Sequence, residues 1–147
     1  MAALGETLAT GIPGLTHVAP SADRVAGAGS SCLAELGVPQ CTAETILAVA
    51  RGIAEGTLRL QVGNDVTATR RELVEIGGID ERIATMIVMR GLCWPDAFPA
   101  ADRVLQRAAG ASSERLLRTE AEKWRPWRGY AACHLWLHDE ESGGGTD

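Results

Sequence analysis

Three short stretches hold residues whose types and spacing could do chemistry. In "EIGGIDERIATMIVMRG", residues 75–91, two apolar segments flank a turn made of Gly77, Gly78, Ile79 and Asp80. A helix, a tight turn and a second helix whose backbone amides point outward form an anion site suited to a phosphate. Packing of two bundle helices is the plainer use of the same hairpin. In "WPDAFPAADRVLQRAAG" an apolar, proline-bearing loop delivers Asp102 to the start of a helix, where a carboxylate ordinarily serves as a cap. In "AEKWRPWRGYAACHLW", Trp124, Trp127, Tyr130 and Trp136 are interleaved with Lys123, Arg125 and Arg128, an aromatic content far above what the length of the stretch predicts.

The elements that must position these residues read as helices. At 147 residues and 46% hydrophobic, the chain can bury one core, and it reads as a single all-α domain over residues 1–139 followed by a disordered acidic, glycine-rich tail at 140–147. "PSADRVAGAG" and "SSCLAELG" read as two short helices, each opened by serine and closed by glycine. In "TAETILAVARGIAEG" the spacing puts Ile46, Val49, Ala50 and Ile53 on one core face, with Thr42 as cap and Gly56 as terminator. "VTATRRELVEI" directs Leu73, Val74 and Ile76 toward a core.

The net charge of −5 argues against a generic nucleic-acid binder, but positive charge concentrates in residues 101–138, so local contact with an anion is open beside the plainer reading of a solvated helix face. No run is long and apolar enough for a membrane helix and no signal-peptide pattern opens the chain, which points to the cytoplasm and to no membrane partner. The spacing of Cys32, Cys41, Cys93 and Cys133 fits neither a metal site nor a compact disulfide frame, and they read as small buried hydrophobes.

Taken in order, these segments resemble the helix-hairpin-helix DNA glycosylases, specifically the 3-methyladenine DNA glycosylase II family. "DAFPAAD", "MIVMRG" and "WRPWRGYAACHLW" carry the resemblance, with "LGVPQCTAETILAVARGIAEGTL" upstream. It implies an all-α HhH-GPD type domain truncated at its N-terminus, since family enzymes carry an N-terminal β-rich domain and helices that supply one wall of the base pocket. It implies base-excision repair of duplex DNA, located at the nucleoid: a monofunctional hydrolase that cuts the N-glycosidic bond of a flipped-out alkylated base. Asp102 matches the catalytic aspartate, stabilising the positive charge that develops on the sugar. Trp136 matches the pocket tryptophan, whose electron-rich ring suits a cationic alkylpurine. Trp124, Trp127 and Tyr130 read as packing residues that fix the loop. Arg125 and Arg128 are open to carboxylates or phosphates.

The same resemblance makes Gly77, Gly78, Ile79, Asp80 and Arg82 the DNA-gripping hairpin, and allows a monovalent cation on the carbonyls of Val74, Ile76 and Ile79. It implies no cofactor: the lysine of the lyase branch is absent after the turn, and so are the clustered cysteines of the iron-sulfur branch. The turn departs from the family's Pro-Gly-Ile-Gly followed by a residue and Trp-Thr-Ala, with Asp80 at the second glycine and Arg82 at the tryptophan. Asp80 tolerates positive φ poorly, adds negative charge, and can cap the following helix with the amides a phosphate would use. Two readings of different class follow: an active glycosylase, either by itself or completed by a separate N-terminal partner, and a non-catalytic remnant or interaction domain with weak DNA binding. Apolar helix faces left uncovered would favour association.

Overall fold

The computed structural model describes residues 3–143 and is helical in its regular structure. Seven α-helices follow in order: α1 (Ala22–Glu35), α2 (Gln40–Ala54), α3 (Val66–Val74), α4 (Glu81–Gly91), α5 (Arg103–Ala108), α6 (Glu114–Ala121) and α7 (Arg128–Glu141), with a 3-10 turn at Glu122–Trp124 before the last. The all-α expectation is met: the extended pairing found among the described residues is a single antiparallel bridge between Thr7 and His17. Where the sequence read as one domain, the chain divides into two compact units: one runs to Arg59 and includes Ile76–Gly78, and the other comprises Leu60–Glu75 and the chain from Ile79 onward.

In the first unit, α1 is two helical pieces joined at Gly29, whose φ of 76° is outside the helical region, so the two short helices expected there are present. Leu33 of α1 buries against Ala43 and Leu47 of α2, with Leu4, Val25 and Val38 around them. The face α2 buries is Ala43, Leu47 and Ala50, while Ile46 is exposed. The expected apolar face was therefore rotated from the true one, because α2 is apolar enough to offer two overlapping stripes. Thr42 lies inside α2, which starts after Pro39 without a side-chain cap. Gly56, at φ 74°, follows its end as expected. The turn segment belongs here too: the Thr45 hydroxyl donates to the Gly77 carbonyl at 2.9 Å. Gly78 has φ 89°, and a Cβ on it would stand 2.1 Å from Thr45 Oγ1.

In the second unit, Phe98, Ala100, Leu105, Leu117, Ala121 and Ala132 form a core, with Trp124, Leu135 and Trp136 packed against it. The loop before Asp102 is pinned from two sides. Asp96, 7% exposed, accepts from Arg128 Nε at 2.7 Å and Nη2 at 2.8 Å, and from Arg125 Nη1 at 2.8 Å. Both arginines also reach Glu122, so the choice between carboxylates and phosphates falls to carboxylates. The Gly129 N–H donates to the Pro95 carbonyl at 2.7 Å, and a Cβ on Gly129 would come within 2.9 Å of that oxygen. At the other end of α7, Asp139 takes a bidentate pair from Arg107.

Helix α7 continues two residues past the expected boundary at 139. The remainder of the expected tail, from residue 144, lies outside the described residues. The cysteines overturn their reading: all four are free, Cys32 is half-buried, and Cys41, Cys93 and Cys133 are exposed. Among the aromatics, Trp124 does pack, edge-on against Phe98 at 5.6 Å. Trp127 and Tyr130 instead meet edge to face at 5.7 Å while 58% and 59% exposed, so they do not fix the loop from within the core.

Candidate active site

Asp102 ends the Phe98–Ala101 loop and caps α5, with Oδ1 accepting from the Leu105 amide at 3.0 Å. A Pro99 carbonyl that accepts from the Asp102 amide at 2.9 Å closes the turn delivering it. The same Oδ1 also accepts from the indole Nε1 of Trp136, on α7, at 3.3 Å. The second oxygen, Oδ2, faces Arg82 Nη1 at 3.9 Å, a loose ion pair in which the aspartate side chain is 16% exposed and the arginine 42%. Three of the residues singled out from sequence, Asp102, Trp136 and Arg82, thus converge. Oδ1 is held by two neutral donors, and Oδ2 meets one partly exposed cation.

Trp136 also lines a pocket of ≈ 510 Å³ with Met89 and Arg90 of α4, Cys93, Trp94 and Pro95 of the following loop, and Tyr130, Cys133, Leu137 and Glu140 of α7. Its walls are mostly apolar or aromatic, with Arg90 and Glu140 supplying opposite charges. Asp102 is not among the lining residues, so the indole is the element common to the carboxylate and the pocket. The sequence pointed to Trp136 and missed Met89, Trp94 and Leu137. Met89 and Leu137 merely adjoin Arg90 and Trp136 in sequence and Trp94 lies in the loop after α4, so no spacing rule groups them.

The remaining hairpin residues take different places. Asp80 sits at φ −89° and caps α4 through Oδ1, which accepts from the Ile83 amide at 2.7 Å. The expected cap is formed, while the expected conformational strain is absent because the position is extended. Gly78 is the turn residue that requires glycine. Ile79 is 6% exposed, so its side chain is core and only its backbone can face a ligand. Gly77 is exposed, with its carbonyl engaged by Thr45. Of the residues expected to face a core, Leu73 is buried and Ile76 half-buried, while Val74 is 36% exposed and falls outside it. No group of three or more His, Cys, Asp or Glu side chains able to hold a metal occurs among the described residues.

The electrostatics around the loop favour order. Burial pushes the Asp96 carboxyl up, and the hydrogen bonds and charge of Arg128, with the charge of Arg125, more than offset this, so it titrates below the usual carboxylate range. Asp139 is likewise lowered, first by its hydrogen bond from Arg107. The loop carrying Asp102 and the helix carrying Trp136 are therefore tied by Asp96 and Gly129.

No protein-family profile matches the chain. It is 39% identical over 126 residues to a "Probable bifunctional transcriptional activator/DNA repair enzyme AlkA" of Mycobacterium tuberculosis, covering 83% of this chain and 25% of that protein. It is 32% identical over 117 residues to "DNA-3-methyladenine glycosylase 2" of Escherichia coli, covering 80% of this chain and 42% of that protein. The chain thus spans less than half the length of these curated relatives. Among solved structures, a 3-methyladenine DNA-glycosylase from Archaeoglobus fulgidus superposes with a TM-score of 0.76 at 20% identity, over 93% of this chain and 48% of the other. A DNA-3-methyladenine glycosidase from Bacillus halodurans gives 0.67 at 24% identity, over 87% and 61%. At those identities the two structures speak to the fold. The sequence relatives make this chain a homologue of part of the DNA-3-methyladenine glycosylase 2 and AlkA proteins, and the two structures show that it shares the fold of the 3-methyladenine DNA glycosylases.

Proposed function

We propose that the chain acts in base-excision repair as a monofunctional DNA glycosylase, hydrolysing the N-glycosidic bond of alkylated bases of the 3-methyladenine type turned out of duplex DNA. The observation that carries this reading is Asp102: a largely buried carboxylate, fixed by the α5 N-terminus and the Trp136 indole, with one oxygen left to a displaceable partner. Turning a nucleotide out of the stack costs a few kcal/mol, and the base must then be held in a pocket. Trp136 and the aromatic walls beside it suit a cationic purine. As the bond breaks, its electron pair leaves with the base and neutralises the alkylated ring. Positive charge develops on the sugar opposite the Asp102 carboxylate, and water adds to the anomeric carbon and gives up its proton to that carboxylate, which returns it to solvent. A base that is already cationic needs little protonation to depart, so one carboxylate suffices. The names of the relatives, glycosylases and a DNA repair enzyme, support this reading.

The test is release of 3-methyladenine or 7-methylguanine from alkylated duplex DNA by the purified chain and by Asp102→Asn. Asparagine keeps the helix cap and removes the charge. A loss of about 100-fold or more in the variant is expected for removal of a group that stabilises transition-state charge. Release that survives the substitution would overturn the assignment. A second reading, a non-catalytic domain that keeps the fold, is favoured by the Asp80 cap on α4. No release by either protein would support it.

A further inference from the structure

Arg82 stands against Asp102 as a cation, and its position on the first turn of α4 makes it part of the hairpin as well. Asp80, two residues before it, is spent on the Ile83 amide, and Glu81 is turned to Arg70 at 3.6 Å. Neither neighbouring acid therefore holds the Arg82 guanidinium. Its 3.9 Å separation from Oδ2 is longer than a hydrogen bond, and its side chain is 42% exposed. Oδ1 of Asp102 keeps its two donors whether or not Arg82 is present. Oδ2 is thus the oxygen free to face a developing positive charge, and in the unbound protein Arg82 stands in that place.

We infer that Arg82 is a positioning residue shared between two anions: it holds Oδ2 of Asp102 when DNA is absent and transfers to a backbone phosphate when the hairpin meets a duplex, uncovering the carboxylate. DNA contact at the turn and exposure of Asp102 become one event. This rests on the DNA-binding reading of the hairpin given above. It has a direct thermodynamic consequence: whatever holds Arg82 on Asp102 is subtracted from its grip on phosphate. Removing the Asp102 charge must then strengthen binding to undamaged duplex, and must do so through Arg82.

The test is a binding cycle on an unmodified duplex, read by fluorescence anisotropy across a salt series. It uses the wild-type chain, Asp102→Asn, Arg82→Ala and the double variant, each checked for helicity by circular dichroism. Asp102→Asn is expected to bind about 3- to 10-fold more tightly than wild type at an unchanged log–log salt slope, since Arg82 reaches the same phosphate in both, whereas Arg82→Ala is expected to make the slope shallower by about one phosphate contact. In the Arg82→Ala background the same substitution is expected to change affinity less than about twofold. An equal gain with and without Arg82 would mean that removal of a negative charge acts alone, and would overturn the inference while leaving the glycosylase reading intact. No gain in either background overturns it also. Absence of duplex binding from all four proteins overturns the inference together with the DNA reading on which it rests, and release of methylated base by the wild-type chain reports on catalysis separately.

Discussion

The indole Nε1 of Trp136 donates to Oδ1 of Asp102 across 3.3 Å, joining residues 34 positions apart in the chain. A tryptophan N–H that faces a carboxylate is satisfied there, and the ring's remaining surface is left to line the adjoining pocket. One side chain therefore orients the candidate catalytic oxygen and forms a wall of the pocket proposed for the base. The two jobs can be separated by substitution.

Trp136→Phe keeps an aromatic wall and deletes the donor. Single-turnover release from alkylated duplex is expected to fall by about tenfold, the loss of one hydrogen bond, of about 1.5 kcal/mol, to a carboxylate. Urea unfolding is expected to shift by less than about 1.5 kcal/mol, because packing against the Ala132 and Leu105 core is largely kept. Equal loss from Trp136→Phe and Trp136→Leu would show that the indole N–H does not contribute.

Asp96→Ala leaves Arg128, whose side chain is 11% exposed, without its main partner. Breaking a buried ion pair from one side costs about 3 kcal/mol or more, so equilibrium urea unfolding should register a drop of that size. Asp96→Asn, which can still accept hydrogen bonds, should lose less. A change under about 1 kcal/mol in Asp96→Ala would mean that Glu122 alone suffices for both arginines.

Stability should fall on the acid side. The Asp96 and Asp139 carboxyls are held below their ordinary values in the folded protein. Such groups contribute stability that is present above the unfolded-chain value of about 3.9 and is lost as pH falls through the folded value. Thermal unfolding between about pH 5 and pH 2 should therefore show a decline that is shallower in Asp96→Asn. Parallel curves for the two proteins would remove Asp96 from the account.

Gly78→Ala should destabilise the first unit. The substitution places a methyl group where φ is 89° and within 2.1 Å of Thr45 Oγ1, costing about 1–3 kcal/mol. Asp80→Gly, at an extended position, should cost only a few tenths of a kcal/mol as a lost cap. It should also strengthen duplex binding with a steeper loss on adding salt. Thermal melts and anisotropy titrations measure the two effects side by side.

What the sequence made legible was local or periodic. The two pieces of α1, the glycine after α2, the Asp80 cap and the delivery of Asp102 to a helix start all depend on neighbours within a few residues, where propensity and capping rules act directly. The face of α2 was misread because Ile46 and Leu47 lie on overlapping apolar stripes, and only the tertiary partner Leu33 decides between them. The partners of Arg125 and Arg128 could not be read at all. Asp96 stands 29 and 32 residues away, and no rule of spacing links a loop acid to a helix N-terminus. The resemblance to the glycosylases identified Asp102 and Trp136, but the contact of Arg82 with Asp102 follows from a departure from that pattern and needed coordinates.

The contact between Gly129 and Pro95 has a consequence for how this molecule can vary. There the distance between α7 and the Asp96 loop is set by main-chain atoms, an amide on a carbonyl at 2.7 Å with no side chain between them. A spacing fixed in this way is insensitive to replacement of the surrounding side chains. Pocket walls such as Met89, Cys133 and Leu137 can change size or polarity, and so change what fits between them, while the Asp102 carboxylate and the Trp136 helix keep their registration. If the pocket takes a base as proposed, evolution or design can retune its selectivity without re-aiming Asp102, provided position 129 stays bare.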